Sequence, residues 1–227
     1  MKKSNTVKAK NHKKRVLVIG DIHAPFTLKG YLEHCKNTHK KYKCNEVVFI
    51  GDIIDNHYSC YHESDPNGLG GGEELSLAIK DIQEWYEAFP KATVIWGNHD
   101  RIIMRKAFSG NVPREWVKEY NEVLGTPKWV WKTEHVIDNV LYIHGEGGTA
   151  RTKAKSDLTS VVQGHLHTQA YVEHFVGREY SIFAMQTGCG IDHNSYAMAY
   201  AKSGKKPAIA CGVVLEGETA INVLMSL

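Results

Sequence analysis

Short apolar runs rich in β-branched residues recur along the chain, and each one ends beside a glycine. The runs cover residues 16–19, 47–50, 93–96, 140–143 and 160–163. Runs of this length and composition are typical of buried strands in a parallel sheet. The polar residues that follow the runs are therefore expected at the carboxyl ends of strands.

The segments between these runs carry helical patterns. From Glu73 to Phe89 apolar and aromatic residues recur at helical spacing on one face, and Pro90 ends the pattern. Shorter helices are predicted over residues 31–41, 101–108 and 114–124. Strands that alternate with helices predict βαβ units and a largely parallel sheet, which is an α/β fold.

The pattern changes after residue 170. Segments 181–187, 208–215 and 220–224 read as strands with no long helix between them. We expect them to build a second sheet packed against the first. Because no linker-like segment interrupts the pattern, we predict one folded domain over residues 15–227.

Composition is that of an ordinary globular protein, with 42% hydrophobic and 23% charged residues. No apolar run approaches the roughly 20 residues of a membrane span, and no secretory signal follows the first lysines. The five cysteines are scattered and contain no Cys-x-x-Cys pair, which argues against a disulfide framework and a thiolate zinc site. We therefore predict a cytoplasmic protein without a membrane partner.

Positive charge is concentrated at the amino terminus. Residues 1–15 hold seven basic residues and no acidic one, whereas the rest of the chain holds 21 basic and 25 acidic residues. We predict that residues 1–14 form a flexible basic arm. A solubilising terminus is the favoured interpretation of this arm, and a nucleic-acid-binding arm is the alternative.

Polar residues with metal-binding groups follow the predicted strands. They are Asp21, His23, Asp52, Asn98, His99, His144, His165 and His167. Ligands of open α/β sheets bind beyond the carboxyl ends of the strands, so we expect these side chains to converge. Eight such groups are too many for one catalytic triad, and they suit two metal ions about 3.5–4 Å apart. Imidazole and carboxylate without thiolate favour Mn²⁺, Fe²⁺/Fe³⁺ or Zn²⁺.

Five motif blocks carry a resemblance to a known family. The blocks are Gly20-Asp21-Ile22-His23, Gly51-Asp52-Ile53-Ile54-Asp55, Gly97-Asn98-His99-Asp100, Ile143-His144-Gly145 and Gly164-His165-Leu166-His167. In this order they resemble the calcineurin-like metallophosphoesterases. The resemblance implies a four-layer sandwich of two mixed β-sheets flanked by helices. It also implies hydrolysis of a phosphate ester by a hydroxide that bridges two metal ions.

The resemblance also implies residue roles. The first metal would be held by Asp21, His23, Asp52 and His167, and the second by Asp52, Asn98, His144 and His165. Asp52 would bridge the two ions. His99 would contact the phosphate and protonate the leaving oxygen, and Asp55 would orient His99. The substrate-binding candidates of this sequence are Asn98, His99 and Arg101.

The sequence departs from the family's protein Ser/Thr phosphatases at one position. Those enzymes place Arg-Gly after the second block, whereas Asn56-His57 stand here, and Asn cannot replace the bidentate grip of Arg. Arg101, Arg105 or Arg151 would have to substitute. We therefore favour a phosphomonoesterase or phosphodiesterase for a nucleotide-type substrate. The alternatives are a DNA or RNA nuclease that uses the basic arm, a protein phosphatase and a non-catalytic binding module.

Two glycine-rich segments and three loops complete the predicted site. Gly145 to Gly148 is predicted to form a close-approach turn beside the metals, and residues 67–72 a rim loop. Substrate specificity is expected to depend on loops 57–72, 109–135 and 190–206. The oligomeric state stays open.

Overall fold

Two mixed sheets organise the computed structural model, which describes residues 13–61, 65–196 and 206–226. The first sheet contains β1 (Arg15–Ile19), β2 (Glu46–Phe49), β3 (Ala92–Ile95), β4 (Trp129–Lys132), β10 (Ala210–Leu215) and β11 (Thr219–Leu224). Its order is β11-β10-β1-β2-β3-β4, with β1 to β4 parallel and β10 antiparallel to both of its neighbours.

The second sheet has the order β5-β6-β7-β9-β8. Its strands are β5 (Glu134–Ile137), β6 (Val140–Ile143), β7 (Ser160–Gln163), β8 (Ala170–Val176) and β9 (Ser181–Thr187). β6, β7 and β9 are parallel, and the two edge strands are antiparallel to their neighbours. β5 and β6 form a hairpin through Asp138 and Asn139, both at positive φ.

Helices cover the outer faces of both sheets. They are α1 (Tyr31–Tyr42), α2 (Gly71–Ala88), α3 (Ile102–Ser109), α4 (Tyr120–Val123) and α5 (Ala150–Asp157). Ile82 and Trp85 of α2 join the core cluster that contains Leu17 and Phe49 of the first sheet. Ala150 and Ala154 of α5 pack with β7 and β9 on the second sheet. The predicted four-layer sandwich is therefore confirmed.

The core between the sheets explains why the predicted strands are apolar on both faces. Val16 and Val18 of β1 join Tyr142 and Met185 of the second sheet in one buried cluster. Leu17, between them in sequence, faces the helices instead. Successive side chains of a strand point to opposite faces, so a strand covered on both sides is mainly apolar.

The assignment of strands to sheets was partly wrong. β6 and β7 do not extend the sheet of β1 to β3 but build the second sheet, whereas β10 and β11, expected in the second sheet, belong to the first. An apolar run in the sequence shows that a strand is buried on both faces. It does not show which strands lie next to it in the sheet. The helix predicted over 114–124 is only a 3-10 turn at Arg114–Trp116 followed by the single turn α4, because Val117 has an extended backbone.

The chain enters β1 from the end of the sheet opposite to the carboxyl ends of the strands. The Lys14 backbone N–H donates to Asp138 Oδ2 at 2.6 Å, and Lys13 pairs with Glu218. Residues 1–12 of the predicted arm lie outside the described residues. In the part of the chain that the structure describes, no helix combines the length and apolar character needed to cross a bilayer.

Candidate metal centre

All seven predicted metal ligands gather where the carboxyl ends of the two sheets meet. Asp21 and Asp52 follow β1 and β2, whereas His144 and His165 follow β6 and β7. Hydrogen bonds join the two sides, since the His165 N–H donates to Asp21 Oδ2 at 2.8 Å. The site is thus formed between two sheets and not along the edge of one.

The first ligand group consists of Asp21, His23, Asp52 and His167. One ligand atom from each lies within 4.8 Å of the others. His167 Nε2 is 3.1 Å from His23 Nε2 and 3.2 Å from Asp21 Oδ2. Four groups at this separation surround a space of the size that one cation needs.

The second group consists of Asp52, His144 and His165, and Asn98 borders it. His144 Nε2 lies 3.2 Å from Asp52 Oδ2, 3.2 Å from His165 Nδ1 and 2.9 Å from Asn98 Oδ1. Asp52 Oδ2 is also 3.7 Å from His23 Nε2 in the first group. One carboxylate oxygen therefore faces both groups.

The donor atoms fit cations because electron pairs converge in both groups. His144 Nδ1 donates to the Ile50 carbonyl at 3.0 Å and His23 Nδ1 donates to Asp55 Oδ1 at 2.7 Å. In a neutral imidazole the other nitrogen then carries a lone pair, and here it points at carboxylate oxygens. Asp21 Oδ1 is buried and has no hydrogen-bond partner among the described residues. A buried carboxylate oxygen without a partner is costly, and a bound cation would remove that cost.

Burial and neighbouring charges perturb the titration of these groups in opposite directions. Burial works against ionisation of Asp52, but the imidazoles of His144 and His99 hold its pKa well below the usual value. Burial likewise opposes the charged form of His144, yet the Asp52 carboxylate raises its pKa to about 9. Burial lowers the pKa of His23. The carboxylates therefore favour a positive charge at the second ligand group.

Some backbone positions at the site leave no room for a side chain, and others adopt a positive φ. A Cβ on Gly97 would lie 2.1 Å from Asp52 Oδ1, and a Cβ on Gly164 would lie 2.5 Å from Asp21 Oδ1. His23, Asp52 and His165 have φ of 48°, 49° and 69°, a region that non-glycine residues rarely adopt. Each such residue costs about 1–2 kcal/mol, and strain of this kind concentrates at functional sites.

His99 lies at the edge of the first group. Its Nδ1 donates to the Asp55 carbonyl at 2.6 Å, and its backbone N–H donates to Asp52 Oδ1 at 2.8 Å. The sequence prediction paired the Asp55 side chain with His99. In the structure this side chain hydrogen-bonds His23 and lies 3.6 Å from His99 Nδ1, because the strand-end turn directs the Asp55 carbonyl at His99.

Arg101 is anchored in the turn that carries Asn98, beside the centre. Its Nε donates to the Gly97 carbonyl at 3.1 Å, and its guanidinium pairs with Glu146. Arg105 stacks over the Tyr61 ring, and Arg151 pairs with Glu173. The two other arginines that the sequence offered as phosphate ligands are thus engaged elsewhere.

Two residues support the site although the sequence analysis gave them no role. Buried Asp100 accepts from the backbone N–H groups of Ile53 at 2.9 Å and Gly97 at 2.9 Å, so it joins the turns after β2 and β3. Gln163 donates to the carbonyls of Gly145 and Gly148 and holds the glycine-rich turn after His144 beside the site. The position of Asp100 inside the third motif block was the one signal for it.

Comparison with known proteins assigns the family. The family model described as calcineurin-like phosphoesterase matches residues 14–200. The chain therefore belongs to the calcineurin-like phosphoesterases, and its His and Asp clusters make it a metal-binding member of that family. No curated protein matches the sequence significantly.

Several solved structures resemble this one at low identity. Vacuolar protein sorting 29 from Cryptosporidium parvum has 12% identity and a TM-score of 0.47, with 93% of this chain and 96% of that chain covered. Yfce, a phosphoesterase from E. coli, has 12% identity and a TM-score of 0.43, with coverage of 93% and 100%. The nuclease MPE of Pseudomonas putida has 15% identity and a TM-score of 0.38, with coverage of 92% and 86%.

Proposed function

We propose that this protein is a dinuclear-metal-dependent phosphoesterase that hydrolyses a phosphomonoester or phosphodiester of nucleotide type. The observation that carries the proposal is the position of Asp52 between two ligand groups, since a shared carboxylate is what a pair of neighbouring cations needs. Mn²⁺, Fe²⁺/Fe³⁺ or Zn²⁺ suit these ligands. A cytoplasmic location, and an arm over residues 1–14 before a single domain, remain predictions.

Each residue of the candidate metal centre would have its own role in the hydrolysis. Two divalent cations, when bound, would supply hydroxide near neutral pH and neutralise charge on the phosphate. Asp21 and Asp52 offset the cation charge, and His23 is held in one tautomer by Asp55. His99 Nε2 makes no hydrogen bond to any described residue, while Nδ1 is fixed by the Asp55 carbonyl. This leaves Nε2 available to give a proton to the leaving oxygen.

Hydrolysis assays with matched variants test the proposal. Protein loaded with Mn²⁺ should hydrolyse p-nitrophenyl phosphate or bis-p-nitrophenyl phosphate. His99→Ala should keep its metal and lose about 10²–10⁴-fold in rate, which is the usual contribution of a general acid. Asp52→Asn should lose both metal and activity. His174→Asn, on the edge strand β8, is the control and should match wild type.

Two results would contradict the proposal. One is the absence of hydrolysis with Mn²⁺, Fe²⁺ and Zn²⁺ across mononucleotides, cyclic nucleotides and the two chromogenic esters. The other is a His99→Ala variant with wild-type rate, since that would exclude the proton donor named above.

A nuclease is the second candidate, and exposed aromatic residues favour it. Phe108 and Trp116 are 84% and 81% exposed, and Tyr61, which is 59% exposed, lies under Arg105 and Lys106. Aromatic faces mixed with cations are typical of surfaces on which single-stranded bases stack. α3, which carries part of this surface, begins three residues after His99.

An oligonucleotide assay separates the two candidates. A nuclease should cleave single-stranded DNA or RNA, and a double Phe108→Ala, Trp116→Ala variant should bind it more weakly while hydrolysing bis-p-nitrophenyl phosphate normally. Deletion of residues 1–12 tests the basic arm at low salt. If neither change affected cleavage, neither the exposed aromatic residues nor the basic arm would take part in nucleic-acid binding.

A further inference from the structure

An ion pair between Arg101 and Glu146 connects the two halves of the metal centre. Arg101 follows β3 of the first sheet, and Glu146 follows β6 of the second, two residues after His144. The Arg101 Nε–H is fixed on the Gly97 carbonyl at 3.1 Å, next to the ligand Asn98. The pair therefore connects the turn that carries Asn98 with the turn that carries His144.

Glu146 pairs with the guanidinium group of Arg101, which a phosphate would otherwise bind. The Arg fork binds carboxylate and phosphate with the same N–H donors, so the two compete. The other arginines are engaged or distant: Arg15 donates to the Tyr42 carbonyl, Arg105 stacks on Tyr61, Arg114 and Arg151 pair with glutamates, and Arg178 lies in the β8–β9 turn. The centre thus has one arginine, and a carboxylate neutralises it.

We propose that Glu146 makes this site selective for phosphodiesters over phosphomonoesters. The inference rests on the proposed function and names its substrate class. A monoester carries close to two negative charges above about pH 7, whereas a diester carries one. Glu146 holds the Arg101 guanidinium and cancels its positive charge. The loss of this positive charge disfavours the second charge of a monoester more than the single charge of a diester.

The reaction on the diester is an ordinary hydrolysis. The oxygen of water forms a bond to phosphorus, the bond from phosphorus to the leaving oxygen breaks, and the leaving oxygen takes up a proton as the alcohol departs. The product is a monoester, which carries the second charge that Glu146 disfavours. Glu146 therefore also favours release of the product.

Removal of the Glu146 charge tests the selectivity. Wild type should have the higher kcat/KM for bis-p-nitrophenyl phosphate. Glu146→Gln should raise kcat/KM for p-nitrophenyl phosphate about fivefold and change the diester value less than about twofold, as expected for one half-exposed charge pair. The gain should vanish in the double variant with Arg101→Met. Glu173→Gln removes the carboxylate of the Arg151 pair and should leave both values unchanged.

Anion binding gives a second readout that needs no turnover. At pH 8, with Mn²⁺ bound, Glu146→Gln should bind orthophosphate about fivefold more tightly by calorimetry, and its affinity for diethyl phosphate should change less than about twofold. An equal change for both esters and both anions would overturn the inference while leaving the proposed function intact. Tighter orthophosphate binding in a protein that hydrolyses neither ester would refute the proposed function and retain the charge effect.

Discussion

Gly97→Ala is the substitution that most sharply tests how the backbone shapes the metal centre. The added Cβ would lie 2.1 Å from Asp52 Oδ1 and 2.2 Å from the Asp52 backbone nitrogen. Real contacts of a Cβ are essentially never shorter than 3.0 Å, so the Asp52 turn must move by about 1 Å. The φ of Gly97 is not in the left-handed region, so the effect is steric alone.

The expected losses follow from that displacement. Overpacking of this kind costs about 1–3 kcal/mol. For a domain of this size each kcal/mol lowers Tm by about 2–4 °C. A ligand displaced by about 1 Å should also reduce activity by about 10²-fold. Because Asp52 faces both ligand groups, Mn²⁺ affinity should fall at both sites together.

Calorimetric titration of Mn²⁺ and thermal unfolding in EDTA measure the two effects separately. Gly148→Ala is the matched control, because nothing lies within 4 Å of its added Cβ. Gly148 belongs to the glycine-rich turn after His144, beside the site. A Gly97→Ala variant that binds Mn²⁺ with wild-type stoichiometry and affinity would refute the account of the site's geometry.

Three further predictions concern the surroundings of the site. Asp55→Asn should weaken Mn²⁺ binding about 10–100-fold in calorimetry, because the carboxylate that fixes the His23 tautomer is lost; unchanged affinity would contradict this. The Glu74 carboxylate accepts a hydrogen bond from the His57 N–H, and burial raises the pKa of Glu74 to about 7. The folded state therefore binds the carboxyl proton of Glu74 more tightly than the unfolded state. Stability should therefore fall between about pH 4.5 and 7, and Glu74→Gln should flatten that fall in urea unfolding with EDTA; parallel profiles would exclude Glu74 as the cause. Gly72→Ala, in α2 with nothing within 4 Å of the added Cβ, should raise the free energy of unfolding by about 0.5–1 kcal/mol; a loss would contradict the open position.

Strand positions were predictable from the sequence because burial on both faces leaves a continuous apolar run. β6 and β7 begin and end at the predicted residues, and β1 to β3 differ by one residue. Sheet membership was not predictable, since Val140 and Val16 are equally apolar although they belong to different sheets. The exposed edge strands β5 and β8, and the polar helix α5, carry no such run, so the sequence analysis did not predict them.

The sequence predicted which side chains come together at the candidate metal centre, because these residues follow the strands directly. Their separations were not, because they depend on how two sheets pack. The side-chain partner of Asp55 also depends on a single backbone turn, which directs its carboxylate to His23 and its carbonyl to His99. Glu146 gave no sequence signal, since its contact with Arg101 joins turns from opposite sheets.

The central claim is that two cations bind side by side with Asp52 between them. Anomalous diffraction from crystals grown with Mn²⁺ tests it most directly. The account predicts two peaks about 3.5–4 Å apart, both in contact with the Asp52 carboxylate, one beside His23 and His167 and one beside His144 and His165. A single peak, or two peaks that Asp52 does not join, would contradict it.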